Sequence, residues 1–241
     1  MPFFRDQAIV LRTHKLGEAD RIITFLTKKN GKVKAVAKGV RKTTSRIGSR
    51  LEPFSHVDVH FHIGKSLDIA TQIESLFPFG SSFSQDYENW LAGQILLETA
   101  EKLAIEEKEP FEELYLLLLA AIRSLFKKEH QANLIVDAFL IRAMGLAGYA
   151  PRFDECASCG EKAELNFSID LGGLTCDSCK PAGYVRLNNE EAAHLRSLIN
   201  GNWQVVEGSS SKIKKDVSSL ISNYVQWHLE KGLKSLRMIE R

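Results

Sequence analysis

The sequence lacks most of the features that mark enzymes and membrane proteins. In its 241 residues no apolar run approaches the ~20 residues needed to cross a bilayer. The opening MPFFRDQAIV has no basic segment ahead of an apolar stretch, so no secretory leader is expected and the chain reads as cytoplasmic. Neither GxGxxG nor GxxxxGK followed by Ser or Thr occurs, which leaves no glycine loop to cradle a nucleotide. HExxH and GxSxG are missing too, and no carboxylate cluster suggests a two-metal hydrolase. Glu106-Glu107 and Glu112-Glu113 sit at helix starts or beside Pro110, where carboxylates suit the helix dipole. There is no internal repeat, and Gly208-Ser209-Ser210-Ser211 reads only as a short linker. Nothing here asks for an enzyme.

Cysteine is scarce, and its placement is informative. All four fall in one window, Cys156-x-x-Cys159 and Cys176-x-x-Cys179, separated by 16 residues. This is a tetrathiolate zinc spacing, in which two tight turns each aim two sulfurs at one point. Gly160, Gly172 and Gly173 give the turns their freedom, and the intervening residues suit a short hairpin. A redox dithiol would not need duplication, and disulfides do not suit a cytoplasmic chain. Four thiolates close the tetrahedron, so one structural Zn2+ per chain is expected.

Acidic residues are scarce at one end. Residues 1–80 hold 14 Lys and Arg against 7 Asp and Glu, and the remainder holds 18 against 23. The bias peaks between Lys28 and Leu51, with nine basic residues (Lys28, Lys29, Lys32, Lys34, Lys38, Arg41, Lys42, Arg46, Arg50) and no acidic one. Lys32, Lys34 and Lys38 are set against Val33, Ala35 and Ala37, as on one face of a strand. The charge then runs into a flexible loop, Gly39 to Gly48. A basic strand face continuing into a basic loop suits a phosphate backbone, whose neutralisation releases counterions. Arg12, Lys15 and Arg21 extend the expected surface.

Residues 1–80 read as five short strands, with Asn30-Gly31 predicting a type I′ hairpin turn. Five strands with one apolar face each suggest a small closed barrel, for which the OB-fold is the leading candidate. Phe25, Phe54 and Phe61 are expected in the barrel core rather than as platforms for bases. On the fourth strand His56, Asp58, His60 and His62 share a face opposite Val57, Val59, Phe61 and Ile63. Alternation alone explains that polar face, although it also offers metal ligands to a nuclease.

Residues 78–83 read as a turn-rich joint, after which the period becomes helical. Helices are expected from Trp90 to Ile105, from Pro110 to Leu125, and from Ala132 to Leu146. The second is apolar almost all round and should be central to a bundle. Asn188 caps another helix ending at Asn200-Gly201, and a last one spans Ile213 to Lys231 with Val217, Leu220, Ile221, Tyr224 and Trp227 inward. The expected architecture is α+β and multidomain: an OB-fold barrel for nucleic acid over 1–80, a helical domain in two parts (81–151 and 186–241), and a zinc ribbon inserted at 152–185.

The order of these pieces resembles a known family. Ala8-Ile9-Val10-Leu11 is followed by Gly17-Glu18-Ala19-Asp20-Arg21-Ile22, Asn30-Gly31-Lys32, Ala37-Lys38-Gly39-Val40-Arg41 and Leu51-Glu52-Pro53-Phe54. Later come Phe139, Gly148-Tyr149-Ala150-Pro151, the knuckle Cys156-x-x-Cys159-Gly160, and Gly172-Gly173. Together they resemble the bacterial recombination mediator family RecO, over essentially the whole chain. The resemblance implies an N-terminal OB-fold, a helical C-terminal domain and a zinc insertion that some members lack. It implies binding of single- and double-stranded DNA, annealing of complementary strands, and no enzymatic activity. Its implied partners are RecR, the acidic C-terminal tail of the single-strand-binding protein SSB and, indirectly, RecA, at a nucleoid-associated location. The tail would dock on the helical domain, for which Arg123 and Arg142 are candidates, with Lys127 and Lys128 explained equally well as helix-end cations. The competing readings are a zinc-ribbon RNA-binding transcription or translation factor and a metal-dependent nuclease using the His56–His62 strand.

Overall fold

The computed structural model describes residues 2–42, 45, 47–83, 86–105, 107–229 and 232–238. By packing, the chain falls into two compact units, Met1–Glu129 and His130–Arg241. The change from strand to helix near residue 80 lies inside the first of them.

In the first unit, alternating β-branched and aromatic residues build β1 (Phe3–Leu16), β2 (Asp20–Thr27), β3 (Gly31–Ala37), β4 (Ser55–His62) and β5 (Asp68–Pro78). They close into a barrel in the order β1-β2-β3-β5-β4. β3 and β5 run parallel, with Ala35 opposite Asp68 and Ala37 opposite Ala70, and the other neighbours are antiparallel. The interior is filled by Ala8, Val10, Ile23, Phe25, Val33, Val57, Val59, Phe61 and Ile73, while Val40 and Leu51 join from the loop after β3. Phe25 meets Phe61 edge-on at 5.3 Å, so both aromatics are core, as their alternation predicts.

The β2–β3 turn departs from the predicted two-residue form. Thr27 pairs with Gly31, leaving Lys28, Lys29 and Asn30 in the loop, and only Gly31 takes a positive φ. The buried Asp6 carboxylate sets this shape. It accepts from the backbone N–H of Lys29 (2.9 Å) and Asn30 (3.2 Å) and from Asn30 Nδ2 (2.8 Å).

Three helices complete the unit: α1 (Phe79–Phe83), α2 (Tyr87–Leu103) and α3 (Glu112–Lys127). The stretch predicted as a joint is thus partly helical. Asp86 caps α2 through the N–H of Asn89. Phe111 is the cap residue of α3, which puts Pro110 just ahead of the helix rather than in its first turn. α3 is one-sided: Leu114, Tyr115, Leu118 and Ile122 are buried while Leu116 is half-exposed. Phe54 leaves the barrel interior, with φ 71°, and packs on Phe83 at 5.1 Å. Its ring lies so close to α2 that a Cβ on Gly93 would sit 2.6 Å from Phe54 Cε1. Gly93→Ala is therefore expected to lower stability by about 1–2 kcal/mol, overpacking outweighing the better helix propensity, and to show as a lower Tm.

The second unit contains α4 (Ala132–Leu146), a three-stranded ribbon of β6 (Asn166–Ser168), β7 (Gly173–Thr175) and β8 (Val185–Arg186), then α5 (Asn189–Asn200), α6 (Trp203–Gly208) and α7 (Ser211–His228). The helix buried on nearly every side is α4, not α3. Its Asp137 accepts from Ser218 Oγ of α7 at 3.1 Å, which satisfies an otherwise costly buried carboxylate. α5 opens with the predicted capping box of Asn188 and Glu191 and ends at Gly201 with φ 77°. The serine linker is shorter than it reads, since Ser210 caps α7 and Ser211 is its first residue. Trp227 is not inward but 65% exposed, because His228 takes the inward place, its ring 4.4 Å from Tyr224.

Candidate nucleic-acid interface and metal centre

The cysteines converge as their spacing predicts. In the first knuckle Cys156 N donates to Glu161 O (2.7 Å) and Gly160 N donates to Cys156 O (2.9 Å), with Gly160 at φ 76°. In the second, the N–H groups of Cys179 and Lys180 both donate to Cys176 O. The hairpin of β6 and β7, with Asn166 opposite Thr175, returns the second knuckle to the first. All four sulfurs lie within 4.8 Å of one another, and Cys159 Sγ is 3.9 Å from Cys176 Sγ. A tetrahedral ion with ~2.3 Å bonds to sulfur wants its ligands about 3.8 Å apart, so the cluster fits zinc. The thiols are also tuned against one another. Backbone N–H groups of Cys159 and Cys176 pull Cys156 down to about 6, whereas Cys176 and Cys159 push Cys179 up to about 12. Four thiolates this close need a cation to be ionised together.

The cations of the barrel divide into two groups. At one end, the loop after β3 is laced onto the β1–β2 turn. Gly39 N donates to Asp20 Oδ1 (2.7 Å), Arg41 N to Ala19 O (2.9 Å) and the Arg41 guanidinium to Gly17 O (2.7 Å). The ladder pairs Lys15 with Arg21 and Arg21 with Ala37, so Lys15 and Lys38 belong to this same end. Among the described residues, Lys15, Lys38 and Lys42 are exposed here and hold no ion-pair partner. Arg50 donates to Ile73 O at 2.7 Å, and Arg21 pairs with Glu52 at 2.7 Å. Arg46 lies outside the described residues.

The strand face forms the second group, and its charges are engaged within the unit. Lys32 Nζ donates to Ile105 O at 3.0 Å and Glu101 O at 3.5 Å, holding carbonyls in the last turn of α2 and just beyond it. Burial, then the nearby charge of Lys34, lowers its pKa. Lys34 pairs with Glu107 at 2.6 Å and Arg12 with Glu101 at 3.6 Å. Lys38 stands past the end of β3 and so outside the alternation of that strand.

Comparison with known proteins agrees with this architecture. Residues 1–79 match the family model of the Recombination protein O N terminal, and residues 84–237 that of the Recombination protein O C terminal. A DNA repair protein RecO from a Nocardioides species is 47% identical, with 99% of each chain covered. Those from Thermobifida fusca and Streptomyces griseus are 46% and 45% identical, with all of each chain covered. The chain belongs to the RecO family. These names describe DNA repair and recombination. No helix among the described residues is long and apolar enough to cross a membrane.

The remaining candidates fall in different units. Arg123 is an exposed residue of α3 in the first unit, and Arg142 belongs to α4 in the second. Arg142 is half-buried and donates from Nε to Leu198 O at 2.8 Å, at the end of α5. Lys127 pairs with Glu129 and Lys128 with Asp86. The β4 histidines gather no metal site: among the described residues, only the four cysteines bring three or more ligand atoms together. His56 is not on a solvent face at all. It is 5% exposed, and its Nε2 lies 2.8 Å from Tyr115 Oη of α3, a covering helix that strand alternation could not reveal.

Burial, then the charge of Arg123, lowers the His56 pKa from 6.5 to about 4. Between those values the unfolded chain binds the extra proton and the folded one does not. Stability from this group is complete above pH 6.5 and declines as pH falls toward 4. Replacing the imidazole by an amide, His56→Gln, should shrink the difference between urea midpoints at pH 7 and pH 5.

Proposed function

We propose that the protein binds single- and double-stranded DNA through the end of its barrel, anneals complementary strands and, with RecR, helps RecA load on SSB-coated strands. The observation that carries this reading is the set of exposed cations without an ion-pair partner among the described residues, Lys15, Lys38 and Lys42, on a rim where the loop after β3 is hydrogen-bonded to the β1–β2 turn through Gly39 and Arg41. The barrel is read as an OB-fold, supported by its closure through the parallel β3–β5 pair. It serves as the DNA-binding domain over 1–80, with α1–α3 packed in the same unit. Annealing brings two like-charged strands together, and a concentrated cationic rim lowers that repulsion. Free aromatics are absent from the described rim, so phosphate contacts should dominate and sequence preference should be slight.

In this reading one Zn2+ per chain is held by Cys156, Cys159, Cys176 and Cys179 and is structural, because the four ligands leave no open position. The protein works in the cytoplasm on the nucleoid. For the acidic SSB tail, Arg123 is the better-presented candidate, since Arg142 already holds a helix end.

The test is an annealing assay with two complementary oligonucleotides bearing a fluorescent donor and acceptor. The protein should accelerate pairing at low salt and lose that effect as salt rises. No acceleration at any salt would remove the reading.

A further inference from the structure

Three engaged cations of the barrel share one source of carboxylates. Arg12 meets Glu101 at 3.6 Å, Lys34 meets Glu107 at 2.6 Å, and Lys28 meets Glu112 at 3.6 Å. These acids come from one continuous stretch: the end of α2, the connection after it and the first residue of α3. The register sets Arg12 opposite Thr24 and Thr24 opposite Lys34, so Arg12 and Lys34 flank one row across β1, β2 and β3, about 10 Å apart.

The connection is fastened by its backbone. Lys108 N donates to Lys32 O at 2.9 Å, and Glu107 forms a parallel bridge with Lys32, so the segment lies beside β3. Lys108 Nζ reaches the buried Asp68 carboxylate at 2.9 Å. Gly31 has no room for a side chain, since a Cβ would fall 1.7 Å from Glu109 O. The carboxylate heads, by contrast, stand at the surface, with side chains 25%, 42% and 50% exposed for Glu101, Glu107 and Glu112. Exposed pairs of this kind are weak and screened by salt, whereas a polyanion gains from counterion release.

We propose that this segment is a built-in mimic of a phosphate backbone: Glu101, Glu107 and Glu112 occupy a secondary phosphate-binding face made of Arg12, Lys34 and Lys28, which a further stretch of nucleic acid takes over by displacing the carboxylates. Only side chains need move. The strap stays anchored, and the barrel keeps its shape. The inference rests on the reading that the barrel binds DNA, and it adds a second, self-masked face to the open rim.

The experiment compares the full-length protein with Glu101→Gln/Glu107→Gln/Glu112→Gln in binding a fluorescent single-stranded oligonucleotide across a salt series. Unmasking three cations should tighten binding at low salt and steepen the log–log slope by about 2, at roughly 0.7 for each new contact. Adding Arg12→Gln/Lys28→Gln/Lys34→Gln should abolish that gain. Glu107→Gln alone, steepening the slope by about 0.7, serves should the triple variant fold poorly. An unchanged slope in the acid variants overturns the inference, as does a gain that survives loss of the three cations. If Lys15→Gln/Lys38→Gln/Lys42→Gln still weakens binding in that case, the DNA reading stands and only the masking falls. A wild type that binds no DNA at low salt removes both.

Discussion

Removing zinc with a chelator is expected to unfold the segment from Arg152 to Arg186 while the barrel keeps its structure. The ribbon has little to hold it otherwise. Its strands are three, three and two residues long, and its large buried apolar residues are Phe167 and Leu174. A core that small cannot offset the conformational entropy of some thirty ordered residues. Zinc bound by thiolates contributes about 10–16 kcal/mol in isolated zinc-finger peptides, enough to decide whether such a unit folds. The loss should reach α7, because Phe167 packs on Tyr224 at 5.9 Å and His228 Nε2 lies 3.0 Å from Ile169 O. Hydrogen exchange is the direct readout. Amides from Cys156 to Thr175 should lose protection on chelation, those at the end of α7 should lose part of it, and β1–β5 should be unmoved. Cys176→Ser should reproduce the pattern without chelator. Protection unchanged in both cases would show that the ribbon folds on its side chains alone, and the metal would lose its structural role.

How far the sequence spoke for the structure depended on whether a feature was local. Strand alternation, the capping box at Asn188 and the cysteine spacing act over a few residues, and each led to the element found. The strand face reads as unpaired because its partners are remote. Lys34 looks free beside Val33 and Ala35, but Glu107, more than seventy positions on, sits against it. His56 reads as outward until Tyr115 of α3 covers it. The apolar run of α3 predicted a central helix, yet α4 holds that place, since the apolar content of a helix does not say how many neighbours it will find. The members of the open rim were named from the sequence, but not their separation from the strand face. Lys15 and Lys42 belong to the rim because the backbone of Gly39 and Arg41 is bonded to the β1–β2 turn, a loop-to-loop contact with no periodic signature.

That division between rim and strand face yields opposite expectations for two sets of variants. Lys15→Gln/Lys38→Gln/Lys42→Gln should flatten the log–log salt slope for single-stranded DNA by about 2 and weaken binding at least tenfold at low salt. Its Tm should hardly change, because these side chains are exposed and carry no ion pair among the described residues. Lys32→Gln should do the reverse. Its ammonium ties the last turn of α2 and the residue just beyond it to β3, so removing it loses two hydrogen bonds and lowers stability by about 1 kcal/mol. The salt slope should stay near the wild-type value, since a charge already committed inside the unit releases few counterions from DNA. Measuring both quantities on both variants separates a binding residue from a structural one, which neither measurement does alone. A flattened slope for Lys32→Gln with an intact rim variant would move the first DNA contact from the barrel end to the outer strand face. The rim would then become the secondary surface.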